Sequence, residues 1–207
     1  MIDDVIQRWH ANRGYYLVVL AAVVGMAVLA LFGDSAGEAL RYRRDAVADG
    51  QWWRLVSCHL VHLNGWHALM NLTGFTLVCL FFDDLLSLRR LALWFLVSAP
   101  LVGIAFYLRD TSLAGYVGLS GLLHGLFVMC LLLGIRGQPA LHLVVLALVV
   151  GRLVYEQTPG YDVNYAKEWI GGRVHVNAHL YGAMVGAVLG GALWWREHRE
   201  EKNSPSA

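Results

Sequence analysis

Charge is the scarcest property of this chain: Asp, Glu, Lys and Arg make up only 15% of its 207 residues, and they nearly cancel to a net +1. A balance so close to neutral gives no sign of a nucleic-acid-binding surface, and no nucleic-acid partner is expected. Cysteine is almost as sparse. Cys58, Cys79 and Cys130 lack CxxC spacing, and their odd number argues against a disulfide framework, so they read as small packing residues within or beside apolar runs. No HExxH sequence supplies a zinc pair with a general-base glutamate, and no paired aspartates occur inside an apolar run. No internal repeat suggests an inverted-repeat transporter, and no separate polar domain is attached.

What fills the chain instead is apolar sequence. Hydrophobic residues reach 57%, and the mean hydropathy is +0.51, well above a soluble domain. Charge-free stretches run from Tyr15 to Phe32, Trp66 to Phe82, Leu91 to Leu108, Val117 to Ile135, Gly137 to Gly151 and Val174 to Trp195. Most approach the roughly 20 residues that cross a bilayer. The expected fold is an all-α polytopic membrane protein with six transmembrane helices. The fifth run is short, but a helix continuing through Tyr155 with Arg152 snorkelling restores its length. The first run follows Asp3 and Asp4 without a small-residue cleavage site, and reads as an uncleaved span.

An even number of spans places both termini on one side, and the polar tail from Arg196 to Lys202 suits the cytoplasm. Loop charge does not decide the orientation, because the six-span arrangement divides the 16 basic residues evenly between the two sides. The organisation expected is a cytoplasmic amino-terminal segment over 1–14, a membrane domain over 15–196 and a cytoplasmic polar tail over 197–207. Asn203 to Ala207 is rich in Ser, Pro and Ala and reads as disordered. The polar connection from Gly33 to Gln51 leads into Trp52-Trp53-Arg54, a combination suited to the headgroup level. The connection from Glu156 to Arg173, with Pro159, Gly160, Gly171 and Gly172, reads as a mobile loop.

Two polar residues stand near the start of apolar runs where hydrocarbon tolerates them poorly. Ser120 lies in Gly118-Leu119-Ser120-Gly121, whose glycines permit a sharp loop-to-helix turn that aims hydroxyl and amide into a cavity. Taken alone, the serine could equally bond a preceding carbonyl in its own helix. His179 can take a serine proton near neutral pH. Gly118, Gly121 and Gly125 share a face with Ser120, and Gly182, Gly186 and Gly190 share one with His179. Two such faces let helices pack backbone to backbone and bring nucleophile and base together. His67 and Asn71, four apart, project from one helix face and can join the Ser120 amide around an oxyanion; they could instead bond a neighbouring helix.

These motifs, with Trp53-Arg54 in the first loop, His67-x-x-x-Asn71, Gly118-x-Ser120-Gly121 and Ala178-His179-x-x-Gly182-x-x-x-Gly186 in order, resemble the rhomboid intramembrane serine proteases. The resemblance spans nearly the whole chain. It implies a six-helix rhomboid-like bundle with cytoplasmic termini, a Ser120–His179 catalytic dyad, and oxyanion stabilisation by His67, Asn71 and the Ser120 amide. Gly118, Gly121, Gly182 and His124 are assigned to catalytic support or substrate contact. His124 departs from the aromatic residue that rhomboids usually place there, and three roles stand open for it: orienting His179, touching substrate, or packing.

A narrower resemblance, to the rhombosortase subfamily, rests on His59-Leu60-Val61-His62-Leu63-Asn64, His124-Gly125, Tyr155-Glu156-Gln157 and Val176 to Ala183. It implies a bacterial inner-membrane endopeptidase that removes a carboxyl-terminal Gly-Gly transmembrane sorting tail from exported single-span proteins. The alternatives are a general rhomboid protease of other single-span substrates and a noncatalytic rhomboid-like helix binder. No cofactor and no metal is expected; His59, His62 and His67 have zinc-like spacing but no general-base partner. The fourth and sixth runs contain no Asp or Glu, so the dyad is expected to lack a third acid, with Arg152 and Glu156 forming an interfacial ion pair.

Overall fold

Each long apolar run becomes a helix, because a segment away from water must satisfy its own backbone hydrogen bonds. The computed structural model describes residues 2–203, with side chains from residue 12 onward. Helix α1 spans Ile2–Leu31 and bends at Asn12, whose φ of −112° and ψ of 18° are non-helical. It is followed by α2 (Gly33–Leu40), the two-residue strand β1 (Tyr42–Arg43), α3 (Arg44–Ala48) and α4 (Arg54–Ser57). Then come α5 (Gly65–Phe81), α6 (Leu88–Arg109), strand β2 (Gly115–Tyr116), α7 (Ser120–Gly134), α8 (Pro139–Glu156), α9 (Lys167–Ile170) and α10 (Val176–Asn203).

Among the described residues, four helical segments are long and apolar enough to cross a membrane: Asn12–Leu31, α6, α8 and α10. The apolar helices α5 and α7, of 17 and 15 residues, are shorter. The chain is thus a nearly all-helical multi-pass membrane protein. α1 starts at Ile2 and α10 continues to Asn203, so the expected boundaries at 14/15 and 196/197 fall inside continuous helices. Of the tail expected to be disordered, residues 204–207 lie outside the described residues, as does Met1.

α7 is the central helix, and most of its side chains, including Leu122, Leu126, Met129 and Cys130, are buried. Outer helices instead expose large apolar residues such as Leu20 and Val24 on α1, Leu141 and Leu148 on α8, and Val188 on α10. A continuous apolar exterior of this kind suits a lipid solvent rather than water. α10 lies directly against α7. A Cβ on Gly182 would overlap the Gly121 carbonyl oxygen, and one on Gly186 would overlap that of Gly125. Only glycine permits this backbone approach, which fixes the rotation of α10 relative to α7.

The amino-terminal loop is built around two arginines. Arg54, 6% exposed, donates to the Glu38 and Arg41 carbonyls at 2.9 and 2.8 Å and to Gln51 Oε1 at 2.6 Å. Arg44 Nη2 donates to the carbonyls of Phe106, Tyr107 and Asp110 at 2.7–3.0 Å and so caps the end of α6. Trp52 and Trp53 are exposed beside this loop. β1 pairs antiparallel with β2, Tyr42 opposite Tyr116, and so holds the chain extended just before α7. At the opposite end, Arg90 pairs with Glu197 and Arg136 with Glu201, tying the last turns of α10 to the α6 start and the α7–α8 turn.

Candidate active site

The turn into α7 is set by Gly118. Its φ of +123° lies in a region that side chains disfavour. A Cβ there would stand 2.8 Å from His67 Cε1. Conformation and space therefore both require glycine, and its absent side chain admits the His67 ring. The turn is anchored by Gly118 N–H donating to the Cys58 carbonyl at 3.0 Å and by Tyr116 OH donating to the Gly118 carbonyl at 3.0 Å. Residues 116–119 are buried by protein, the setting in which irregular backbone is tolerated away from water. Ser120 is the first residue of α7, so its N–H is one of the donors a helix start leaves free.

His179 projects from the first turn of α10, and its Nε2 lies 3.2 Å from Ser120 Oγ. The glycine contact between α7 and α10 brings the two side chains together across 59 residues of sequence. Its other ring nitrogen, Nδ1, lies 2.9 Å from Glu156 Oε2. An ionised carboxylate only accepts, so a proton on Nδ1 leaves the Nε2 lone pair facing the serine hydroxyl. The expectation of an isolated pair is corrected here. Neither α7 nor α10 carries the acid; it comes from the last residue of α8. The expected ion pair also forms, Arg152 Nε to Glu156 Oε1 at 3.1 Å, and leaves the second oxygen for the histidine.

His67 and Asn71 are 8% and 4% exposed and flank the same turn. Asn64 caps α5 by accepting from His67 N–H at 2.8 Å. His67 Nδ1 accepts from Leu63 N–H at 3.4 Å, which places the ring proton on Nε2 beside Gly118. Asn71 Nδ2 donates once, to the His67 carbonyl at 3.0 Å, and keeps a second hydrogen. His124 stacks on His179 with ring centroids 4.1 Å apart and planes 18° apart. Its Nδ1 donates to the Ser120 carbonyl at 2.8 Å. His124 thus fills the stacking position through a second imidazole. Gly121 faces Ala178 and Gly182, and holds the helices close instead of lining the cavity.

A cavity of about 800 Å³ is lined by Ser120, His179, His67, Asn71 and His124, with Ile170 from the α8–α10 connection in its wall. Asp110, at the end of α6, organises the rim. Its carboxylate accepts from His175 Nε2, Asn177 Nδ2 and Tyr181 OH, each at 2.8 Å. This clamp fixes where α10 begins and hence the height of His179. Asp110 does not stand out in the sequence; the polar spacing of His175, Asn177 and Tyr181 around His179 is the signal that points to it.

Of the histidines with zinc-like spacing, His62 and His67 meet and His59 stands apart. His59 is fully buried, its Nε2 3.2 Å from the Ala99 carbonyl, whereas His62 packs edge-on against His67 at 5.1 Å. Burial, and then the neighbouring His67, push the His62 pKa down to about 3. Cys58, Cys79 and Cys130 are free and buried.

Comparison with known proteins follows the same lines. The "Putative rhomboid protease YdcA" of Bacillus subtilis (strain 168) is 26% identical over 186 residues, covering 84% of this chain and 87% of that protein. The Rhomboid domain matches residues 49–196, a stretch that runs from the first loop into α10 and takes in every side chain of the cavity named above. The chain belongs to the rhomboid family.

Proposed function

We propose that this protein is an intramembrane serine endopeptidase in which Ser120 is the nucleophile and His179 the base. The observation that carries this reading is the 3.2 Å approach of Ser120 Oγ to His179 Nε2 within the cavity. Family membership supports it independently. In the reaction, His179 Nε2 takes the hydroxyl proton as Oγ bonds to the scissile carbonyl carbon. The carbonyl π electrons move to oxygen, and the oxyanion is held by Ser120 N–H, His67 Nε2–H and the free Asn71 amide hydrogen. Collapse breaks the C–N bond, and the departing amine takes the proton from His179. A water then attacks the acyl-enzyme, again deprotonated by His179, and restores the serine.

Six helices cross the membrane in this reading, with 15–196 as the protease domain between cytoplasmic segments 1–14 and 197–207, in a bacterial inner membrane. The substrate is a single-span exported protein with a carboxyl-terminal Gly-Gly tail, an apolar helix and a basic end. Glycine lowers the cost of unwinding such a helix by roughly 1 kcal/mol per residue relative to alanine. It also brings no side chain into a cleft already lined by the imidazoles of His67, His124 and His179. His124 supports His179 by stacking, while Gly118, Gly121 and Gly182 hold the turn and the helix pair.

The test is co-reconstitution with a single-span reporter bearing this tail. Wild type is expected to cleave beside the glycines, Ser120→Ala to leave the reporter whole, and a reporter with both glycines changed to leucine to resist cleavage while still inserting. Cleavage of the leucine reporter at the same bond and rate would contradict the tail specificity and leave the broader rhomboid protease reading. A wild type that retains the reporter uncut in a stable complex would instead favour a helix binder.

A further inference from the structure

α8 lies at the edge of the bundle, and of its 18 residues only Leu153 and Glu156 are buried. One of the two is a carboxylate, 3% exposed. Burying a carboxylate is costly unless both oxygens are paired. Here Oε2 meets His179 Nδ1 at 2.9 Å and Oε1 accepts from Arg152 Nε at 3.1 Å.

Arg152 is itself held. Its Nη2 donates to Tyr161 OH at 2.5 Å, and its guanidinium lies over the rings of Tyr161 and Tyr165, 4.9 and 5.7 Å from their centroids. Both tyrosines belong to the connection between α8 and α10. That connection docks on α5, with Asn64 Nδ2 donating to the Trp169 carbonyl at 2.9 Å and Trp66 edge-on to Trp169 at 5.7 Å. Tyr165 and Ile170 line the cavity. An unbroken series of polar contacts therefore runs from the Ser120 hydroxyl through His179, Glu156 and Arg152 to the loop beside the cavity.

We propose that Glu156 is the positioning residue of His179, making a Ser–His–Glu relay, and that Arg152, clasped by Tyr161 and Tyr165, aims the carboxylate. This rests on the reading of Ser120 and His179 as nucleophile and base. Glu156 does not touch the reacting atoms. It keeps the ring proton on Nδ1 so that Nε2 can accept, and it stabilises the imidazolium formed when the serine proton arrives. Arg152 occupies one carboxylate oxygen, which restricts the other to the histidine. A glutamine at 156 would keep the shape and lose the charge; its amide can also present N–H to the ring and select the wrong tautomer.

The test measures inactivation of the full-length protein in lipid by a fluorophosphonate, separating the maximal rate from the half-saturating concentration, with thermal unfolding followed in parallel. Glu156→Gln is expected to lower the maximal rate by roughly two to four orders of magnitude, as loss of the carboxylate does in other serine triads, with half-saturation and unfolding temperature nearly unchanged. Glu156→Asp should recover part of the rate. Arg152→Gln should cost less, roughly tenfold, and the double variant Glu156→Gln/Arg152→Gln no more than Glu156→Gln alone, because Arg152 acts through Glu156. A Glu156→Gln protein reacting within about threefold of wild type would overturn the relay alone. So would equal losses in Glu156→Gln and Arg152→Gln accompanied by equal falls in unfolding temperature, which would assign the pair to helix packing. A folded wild type that neither reacts with the probe nor cleaves the glycine reporter would overturn the protease reading and the relay with it.

Discussion

His179→Ala is expected to leave the bundle folded and to slow cleavage by roughly three or more orders of magnitude. The fold should survive because the contact of α10 with α7 is made by Ala178, Gly182 and Gly186, none of which depends on the imidazole. The clamp of His175, Asn177 and Tyr181 on Asp110 also stays in place. What is lost is the acceptor 3.2 Å from Ser120 Oγ, and a serine hydroxyl without a base is a weak nucleophile. Rates from a reconstituted cleavage assay, compared with thermal unfolding of both proteins, check this. Near wild-type turnover in the variant would remove His179 from the mechanism.

The second large effect is expected at His67 and Asn71, the proposed oxyanion donors. His67→Ala and Asn71→Ala should each lower kcat by roughly one to three orders of magnitude while changing KM much less. The asymmetry follows from timing: the oxyanion exists only after Ser120 has attacked, so its donors stabilise the transition state more than the bound substrate. His67 is prepared for this, since the Leu63 N–H occupies its Nδ1 and leaves Nε2–H beside the Gly118 turn. Asn71 holds one hydrogen in reserve after bonding the His67 carbonyl. A variant whose KM rises with kcat intact would show that residue to be holding substrate instead.

Much of this arrangement is legible in sequence because it rests on period and composition. The six apolar runs become α1, α5, α6, α7, α8 and α10, since a long charge-free stretch has few ways to satisfy its backbone in lipid. The fifth helix continues through Tyr155 to Glu156 and starts with Pro139 at a position where its missing N–H costs nothing. The start of the fourth was less legible. The apolar run begins at Val117, but α7 begins only at Ser120, because β2 pairs with β1 and Gly118 adopts a positive φ. Hydropathy does not register either constraint. The polar connection before Trp52 likewise folds into α2, β1 and α3, organised by arginine-to-carbonyl bonds that no local pattern announces.

The same distinction governs the site. Ser120, His179, His67 and Asn71 stand out because each is polar within apolar sequence, and the glycine faces indicate which helices meet. Glu156 was visible too, but its four-residue spacing from Arg152 offered a complete local explanation for its charge. A carboxylate has two oxygens, and the spacing accounts for one. Where the other points depends on how α8 is rotated against α10, a tertiary fact that burial of Leu153 and Glu156 on one side of α8 expresses. Asp110 was hidden for a related reason, since its three partners come from His175 and the first turns of α10, 65 to 71 residues away.

The central claim is that Ser120 is an activated nucleophile. The most direct measurement is peptide mass mapping of the protein after reaction with a fluorophosphonate in lipid. The account predicts a phosphonyl adduct on Ser120 that disappears in Ser120→Ala and forms far more slowly in His179→Ala. An adduct on a different residue, or labelling undiminished in Ser120→Ala, would contradict it.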